Sequence, residues 1–166
     1  LSYANKIFLD VTGRNDWSST LPSGNNSFFY PSVSTSFILS DLLRLPEQIS
    51  FAKLRASWAQ VGNDTDPYKT AKYYNTSAFP GSASVSPTLY NARFKPEISN
   101  SIEVGLDWRM FKQRFGLDLA FYNNITRNQI LDVPMDQTTG YTKATMNSGK
   151  VRNRGIELQL DGTPVK

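Results

Sequence analysis

The stretch "SIEVGLDWRMFKQRFGLDLAFYNN", residues 101–124, decides the fold because its side chains alternate between apolar and polar on both sides of a short break. In the first half, Ile102, Val104, Leu106, Trp108 and Met110 alternate with Glu103, Gly105, Asp107 and Arg109. In the second half, Phe115, Leu117, Leu119 and Phe121 alternate with Arg114, Gly116, Asp118, Ala120 and Tyr122. A period of two is typical of a β-strand with two unlike faces. The break "FKQR" is short enough for a hairpin turn, so we predict two antiparallel strands.

Four further segments repeat this period, which brings the predicted strands to six. They are "YANKIFLDVTG" (3–13), "FFYPSVSTSFIL" (28–39), "FAKLRASWAQV" (51–61) and "MNSGKVRNRGIELQL" (146–160). Each predicted strand is about ten residues long, whereas strands in globular proteins have a mode of about five or six. Ten residues at about 3.3 Å each, tilted by about 40°, rise roughly 25 Å, which is the height of the apolar band of an outer-membrane barrel.

The connections between the strands alternate in length. "FKQR" and "SDLLRLPEQIS" (40–50) are short, and we expect a single helical turn in the second. The other connections are long and rich in Ser, Asn, Gly and Pro. Long structureless loops are uncommon in compact soluble domains, whereas short periplasmic turns and long extracellular loops are typical of outer-membrane barrels. The sequence therefore predicts an all-β fold, an antiparallel up-and-down transmembrane β-barrel of which this chain is a roughly six-stranded part.

Composition excludes several classes of protein. The chain has no Cys and no His, which removes disulfides, thiolate zinc sites and most nucleophile–base pairs. It has 13% aromatic residues, which argues against disorder. Its net charge of +4 comes from scattered basic residues, and we expect no nucleic-acid binding. No stretch approaches the roughly 20 apolar residues of a membrane helix. We expect no catalytic residues, no metal and no cofactor.

Two features concern the predicted edges of the membrane. Four aromatic residues, Tyr3, Trp58, Trp108 and Tyr122, lie near the ends of predicted strands, where an aromatic girdle would place them. Arg152 and Arg154 share a face with Ile156, which conflicts with a lipid-facing row. The conflict disappears if the hydrocarbon boundary falls near Gly155, so that both arginines lie outside it.

Several strings resemble, in this order, the later barrel strands of the SusC/RagA-like TonB-dependent outer-membrane transporters. They are "VTGRNDWSS", "FFYPSVSTSFILS", "KLRASWAQVGND", "FKPEISNSIEVGLDWRMF", "RFGLDLAFYNN" and "NSGKVRNRGIELQL". The resemblance runs from about Phe8 to Leu160, and Trp17 departs from it because the family more often has a small residue there. It implies a barrel of about twenty-two strands around an N-terminal plug domain.

The same resemblance implies what the complete protein does and where. Such transporters lie in the outer membrane of Gram-negative bacteria of the Bacteroidetes type and import oligosaccharides or peptides. Energy comes from TonB through the plug segment, and a SusD-like surface lipoprotein acts as the lid. We accordingly expect residues 1–166 to be part of the receptor β-barrel domain, with the plug and the earlier strands outside this chain. Six strands cannot close a barrel, since the smallest membrane barrels have eight.

Loop residues are the candidates for ligand contact, because loops carry function more often than walls do. Trp17, Asn63, Tyr73 and Tyr74 could stack on, or hydrogen-bond to, a cargo molecule at the outer mouth. Loop tyrosines also pack loops together, and that alternative stays open. Asp64 and Asp66 in "GNDTDP" could suggest calcium, but we expect a turn that opens a loop.

Charged residues on the predicted polar face are candidates for lining a path. They are Arg55, Glu103, Asp107, Arg109, Asp118 and Glu157, and we expect most of them to pair across strands or with the plug. Two other classes of protein remain as alternatives. The first is a secreted or cell-surface glycan-binding β-sandwich domain, and the second is a β-rich enzyme with a carboxylate pair.

Overall fold

A computed structural model describes residues 1–76 and 79–163, and nearly all of its regular structure is β-strand. The strands are β1 (Ser2–Tyr3), β2 (Ile7–Trp17), β3 (Ser27–Ile38), β4 (Ile49–Asn63), β5 (Tyr74–Thr76), β6 (Ala83–Val85), β7 (Thr88–Leu89), β8 (Glu97–Met110), β9 (Phe115–Arg127), β10 (Ile130–Pro134), β11 (Lys143–Asn147) and β12 (Lys150–Gly162). One helical turn, α1 (Leu39–Leu42), follows β3, and a 3-10 turn spans Gln137–Thr139. No helix within the described residues has both the length and the apolar character needed to cross a bilayer.

One large antiparallel sheet contains all six predicted strands. Its order is β1-β2-β3-β4-β8-β9-β12, so each long strand pairs with its neighbours in the chain apart from the small strands of the loops. This is the up-and-down arrangement that the alternating connections predict. The short β1 adds a seventh strand that the periodicity did not indicate, since it has two residues. The predicted helical turn between β3 and β4 is confirmed as α1.

The long strands run for 11 to 15 residues and exceed the predicted ten. The additions lie mainly at the long-loop end, where Ser, Asn and charged residues replace the aliphatic ones. Ladder hydrogen bonds continue there without an apolar face, so the alternation of hydrophobicity underestimates strand length. β4 and β8 illustrate this, because their pairing continues from Trp58 and Ile102 out to Asn63 and Glu97.

The register aligns the apolar side chains of neighbouring strands into rows, and we call this side of the sheet the apolar face. One row runs Ile7, Phe37, Leu54, Leu106, Leu119, Leu158. The next row runs Leu9, Thr35, Ala56, Val104, Phe121, Ile156. Directly opposite residues share a face and contact each other. Six strands thus present one continuous apolar surface.

The opposite side, which we call the polar face, carries serines, small residues and charges. Its acidic residues are Asp10, Asp16, Glu97, Glu103, Asp107, Asp118, Glu157 and Asp161, and its basic residues are Arg14, Lys53, Arg55 and Arg109. The six charged residues predicted to lie on one face are therefore on the same face. Two unlike faces along every strand are what a membrane wall around a polar interior requires.

The apolar rows are not covered by another layer of the described residues. Ile156 is 71% exposed and Leu158 60% exposed, while Val104 in the middle of the sheet is 41% exposed. A β-sandwich buries this side of each sheet against a second sheet. The sandwich alternative is therefore wrong for this chain, because its apolar face has no inner partner.

The position of Tyr122 differs from the prediction of an aromatic girdle. It lies in the middle of β9 on the polar face, directly opposite Gly155, and a Cβ on that glycine would lie 2.6 Å from its hydroxyl oxygen. The alternation within "RFGLDLAFYNN" already places it opposite to Phe121. Trp58 and Trp108 are on the apolar face, towards its two ends, with Ile98 beyond the first and the Met110–Phe115 pair beyond the second.

The long connections contain small sheets of their own, which the sequence pattern does not predict. β5 and β6 form a hairpin, and β7 adds in parallel to β11, which pairs with β10. Phe94 is fully buried beneath these loops, and its carbonyl accepts a hydrogen bond from the Asn25 side chain at 3.0 Å. Three loops are therefore joined at one end of the sheet, and the short turns occupy the other end.

Candidate functional site

Two clusters of ion pairs cross the polar face in the middle and lower part of the sheet. Arg55 of β4 donates to both carboxylate oxygens of Asp118, two strands away, at 3.0 and 3.3 Å. Its Nε lies 3.8 Å from Glu103. The predicted pairing across strands is thus confirmed for these three residues. Bidentate contacts between a guanidinium and a carboxylate fix geometry as well as adding energy.

The second cluster involves Arg109 of β8, which binds carboxylates on its own strand and on β12. Its Nε donates to Asp107 at 2.9 Å, and its Nη1 lies 2.8 Å from both oxygens of Asp161. Each arginine therefore lies between two carboxylates. The residues of both clusters are partly exposed, so the pairs orient side chains more than they stabilise the fold.

Glycines beneath the arginines allow these side chains to lie flat on the sheet. Gly105 is directly opposite Arg55, and a Cβ there would collide with the Nε and lie 2.9 Å from the Cγ of that arginine. Gly116 lies beneath Arg109 and Asp161 in the same way. Glycine within a strand often marks such a close approach. The two arginine side chains therefore lie close against the backbone of the neighbouring strand on the polar face.

A groove opens at the long-loop end of the polar face, above the two clusters. It has a volume of about 420 Å³ and contains two of the four predicted contact residues, Trp17 and Asn63. The structure brings them together from strands that are separated by β3. Trp17 is 72% exposed and is the cross-strand partner of Ser27, so its side chain leaves β2 on the side of Leu9 and Val11, opposite to Asp16.

Three further groove residues were not predicted from the sequence. Arg14 Nε donates to Asp16 at 2.6 Å, and Tyr30 lies flat against Gly62, where a Cβ would lie 2.6 Å from its ring. The alternation places Arg14 and Asp16 on the polar face, but which loop lies over them depends on non-local register. A groove with aromatic rings, one guanidinium and amide groups can bind polar organic molecules by stacking and hydrogen bonding.

The two aspartates of "GNDTDP" have separate partners. Asp64 Oδ2 accepts hydrogen bonds from the hydroxyls of Ser18 at 2.5 Å and Thr20 at 3.1 Å. Asp66 forms an ion pair with Lys69 at 2.8 Å. Asp64 thus connects the loop after β2 to the end of β4, a longer-range role than the local turn that we expected.

Tyr73 and Tyr74 lie on the loop between β4 and β8, apart from the residues that line the groove. Tyr73 stacks on Tyr90, with ring centroids 5.5 Å apart and an oxygen–oxygen distance of 3.2 Å. This hydrogen bond raises the pKa of Tyr73 and lowers the pKa of Tyr90. Tyr74 begins β5 and is 64% exposed. Tyr73 therefore packs its loop, as the alternative role of loop tyrosines predicts.

The two longest loops are joined by polar contacts as well as by the β7–β11 pairing. The Asn147 side chain accepts from the backbone N–H of Lys95 at 2.9 Å and donates to the carbonyls of Lys95 and Asn128 at 2.8 and 2.9 Å. Lys72 lies 5.6 Å from the centre of the Tyr141 ring. The loops thus form a connected layer over one end of the sheet.

The family model described as "TonB dependent receptor-like, beta-barrel" matches residues 1–163 of this chain. The chain belongs to this family. TonB-dependent receptor barrels are outer-membrane proteins of a transporter and receptor family, so the apolar face is the lipid side of the wall and the polar face is its interior side.

Relatives in the same family come from Formosa agariphila. TonB-dependent receptor P26 is 32% identical over 99% of this chain, and TonB-dependent receptor P3 is 28% identical over 96% of it. The matched regions make up 18% and 17% of those proteins, so this chain spans less than a fifth of their length.

Several solved structures match the same sheet. The RagAB peptide transporter aligns with a TM-score of 0.87 and 26% identity over 99% of this chain and 19% of the matched chain. The RagAB peptide importer in its closed-closed state aligns with a TM-score of 0.88 and 25% identity. This alignment covers 97% of this chain and 18% of the matched chain. The siderophore receptor PirA from Pseudomonas aeruginosa shares the fold, with a TM-score of 0.64 and 18% identity. This alignment covers 93% of this chain and 28% of the matched chain.

Proposed function

We propose that this chain forms wall strands and outer loops of a TonB-dependent outer-membrane importer of peptides or oligosaccharides. The observation that carries the proposal is the two-faced sheet, with continuous apolar rows on one side and crossed ion pairs on the other, in a chain of this receptor family. An open sheet edge is not tolerated in hydrocarbon. The sheet therefore needs further strands, and residues 1–166 form part of a longer barrel domain that also encloses a plug.

Several observations bear on the cargo. Two of the similar solved structures are peptide importers, at 25–26% identity. The groove around Trp17 and Asn63 has polar lining and aromatic rings, which suits both peptides and oligosaccharides. We propose Trp17 and Asn63 as direct cargo contacts, with Tyr74 as a third contact on the neighbouring loop. Tyr73, whose ring stacks on Tyr90, is the fourth proposed cargo contact.

The proposed partners follow from the same family. A SusD-like surface lipoprotein covers the loop layer, and TonB binds the plug segment outside this chain. The location is the outer membrane of a Gram-negative bacterium of the Bacteroidetes type, which agrees with the Formosa relatives. The chain takes part in import without a cofactor and without catalysis.

Uptake by cells tests the proposal. The gene for the complete receptor is deleted in the source organism, and uptake of fluorescent peptides and of fluorescent oligosaccharides is measured before and after complementation. We expect the deletion to abolish uptake of one of the two classes, and a protonophore to do the same because TonB transmits the energy of the inner membrane. Unchanged uptake of both classes would contradict the import function.

The complete protein also tests the partner and the domain assignment. The receptor is purified from native outer membranes, and the intact mass of every polypeptide in the complex is measured. We expect a receptor several times heavier than residues 1–166, together with a lipoprotein. A receptor isolated without any lipoprotein would contradict the proposed lid.

A further inference from the structure

Four basic side chains lie on the apolar face at its long-loop end, and we call them the basic rim. They are Arg127 of β9 and Lys150, Arg152 and Arg154 of β12. Lys150 is the direct cross-strand partner of Arg127. The register of β12 has no irregularity, so these cations are on the same side as Ile156 and begin two residues beyond it. All four are exposed.

The basic rim has no acidic neighbour on its own face. In β2, β3, β4, β8, β9 and β12 the register places every acidic residue on the polar face. Within residues 1–76 and 79–163, no ion pair joins any of the four cations to a carboxylate. Arg152 donates to the Asn123 side chain at 2.6 Å, which orients the guanidinium without neutralising it.

This arrangement is unfavourable for the isolated sheet. Like charges directly opposite each other destabilise a strand pair, and Arg127 and Lys150 are such a pair. Apolar side chains lie at the same height, since Ile125 is opposite Arg152 and Ile98 is opposite Arg127. An external anion at that height would stabilise the four cations.

The position of the basic rim along the strands indicates which anion binds there. Trp58 and Ile102 share a cross-strand row with Asn123 and Arg154, and tryptophan on the lipid side marks the interface between hydrocarbon and headgroups. The basic rim thus begins at the level of the headgroups, whose phosphates are anionic. Guanidinium groups bind phosphate oxygens in a bidentate manner, and lysine binds them as a point charge.

We propose that the basic rim is a binding site for the phosphates of lipid headgroups with a net negative charge, in the leaflet next to the long loops. The proposal rests on the membrane-wall role given above and is independent of the cargo. Each basic residue near an anionic membrane surface contributes about 1 kcal/mol, so removal of two charges weakens retention of an anionic lipid about thirtyfold.

Lipid retention by the complete receptor tests this site. The receptor is reconstituted in nanodiscs of phosphatidylcholine alone or mixed with phosphatidylglycerol, and native mass spectrometry counts the lipids that remain bound. The test variant is Arg127→Gln with Lys150→Gln. The matched control is Arg93→Gln with Lys95→Gln, which removes the same two charge types from an exposed part of the loop between β4 and β8. We expect the test variant to lose retention of phosphatidylglycerol and the control to keep it.

Thermal stability gives a second readout whose sign depends on the lipid. In phosphatidylcholine, the test variant is expected to melt at or above the temperature of the wild type, because the repulsion between Arg127 and Lys150 is gone. With phosphatidylglycerol present, it is expected to melt below the wild type. Lys150→Glu keeps the strand pair by pairing with Arg127 and is expected to lose phosphatidylglycerol retention in the same way.

Equal retention of phosphatidylglycerol by wild type and test variant would overturn the proposal, and so would an equal loss in the control. The import proposal is tested separately, since a receptor that takes up no peptide or oligosaccharide can still show the lipid preference. Conversely, if the basic rim binds lipid and not cargo, we expect the test variant to lose the lipid preference and still import cargo.

Discussion

The guanidinium of Arg55 lies across Gly105, its direct cross-strand partner, and reaches Asp118 on the strand beyond, with Nη2 3.0 Å from Oδ1. One side chain thereby connects β4, β8 and β9 on the interior side of the wall. The contact requires a residue without a Cβ in the middle strand.

Gly105→Ala is expected to lower the melting temperature of the complete receptor, because the new methyl group lifts Arg55 away from Asp118. The loss of this pair costs about 1 kcal/mol or less, because both side chains are partly exposed. Differential scanning calorimetry in detergent measures the melting temperature. Gly24→Ala is the control, since nothing lies within 4 Å of a Cβ at Gly24. Equal melting temperatures for the two variants would show that Arg55 repacks freely.

Leu158→Arg is expected to reduce the amount of folded receptor in the outer membrane, whereas Gln159→Arg is tolerated. Leu158 is on the apolar face in a row with Leu119, and Gln159 is opposite Asp118 on the polar face. A charge in the middle of the lipid side of a barrel costs about 2–4 kcal/mol. Heat modifiability on gels measures the folded fraction. If both arginines had the same effect, the assignment of the faces would be wrong.

Asn147→Asp is expected to loosen the loop layer while the barrel strands stay protected. The aspartate can still accept from the N–H of Lys95, but it cannot donate to the carbonyls of Lys95 and Asn128. Hydrogen exchange is expected to rise in residues 87–95 and 143–149. Asn75→Asp on the β5–β6 hairpin is the control with the same change in charge. Unchanged exchange at residues 87–95 would mean that the β7–β11 pairing holds the loops without Asn147.

The β10–β11 hairpin is expected to weaken in acid. Asp132 accepts hydrogen bonds from Lys143 and Thr145, each at 2.6 Å, and chiefly the bond from Lys143 lowers the pKa of this carboxyl. A lowered pKa in the folded state contributes stability that is present above the ordinary carboxyl pKa of about 3.9 and is lost as the pH falls through the lowered value.

Pepsin cleavage of this hairpin in the complete receptor, followed from about pH 4 down to about pH 2, measures the loss. Cleavage in the wild type is expected to increase across this range beyond the change in pepsin activity on an unfolded peptide. Asp132→Asn removes the titrating group, so its cleavage is expected to follow the unfolded peptide alone. A wild type that behaves like Asp132→Asn would contradict the role of the ion pair.

The sheet could be predicted from the sequence because every long strand repeats its apolar positions at a period of two. Ile156, Leu158 and Leu160 are sufficient to assign the faces of β12, and the same alternation places Arg55, Asp107 and Asp118 correctly on the polar side. The same alternation places Tyr122 on the polar face, so closeness to a strand end is not sufficient to assign a residue to the aromatic girdle.

The groove and the loop layer could not be predicted, because they depend on contacts between distant parts of the chain. The sequence indicates Trp17 and Asn63 only as residues of separate loops, and the register of β2, β3 and β4 brings both positions to one groove. β5, β6 and β7 have two or three residues each, too few for a period. The parallel pairing of β7 with β11 joins residues more than 50 positions apart, as Lys143 and Thr88 illustrate.

The separation of charge between the two sides of the wall has a consequence for permeation. The chain as a whole is basic, with an isoelectric point of about 9.3. The polar face nevertheless carries eight acidic residues, among them Glu157 and Asp161, against four basic ones. A solute that moves along this sector meets a negative electrostatic potential, which attracts cations and repels anions at low ionic strength. Neutral replacement of Glu157 and Asp161 should therefore lower the cation selectivity of the unplugged barrel in current measurements. The isoelectric point alone indicates the opposite sign.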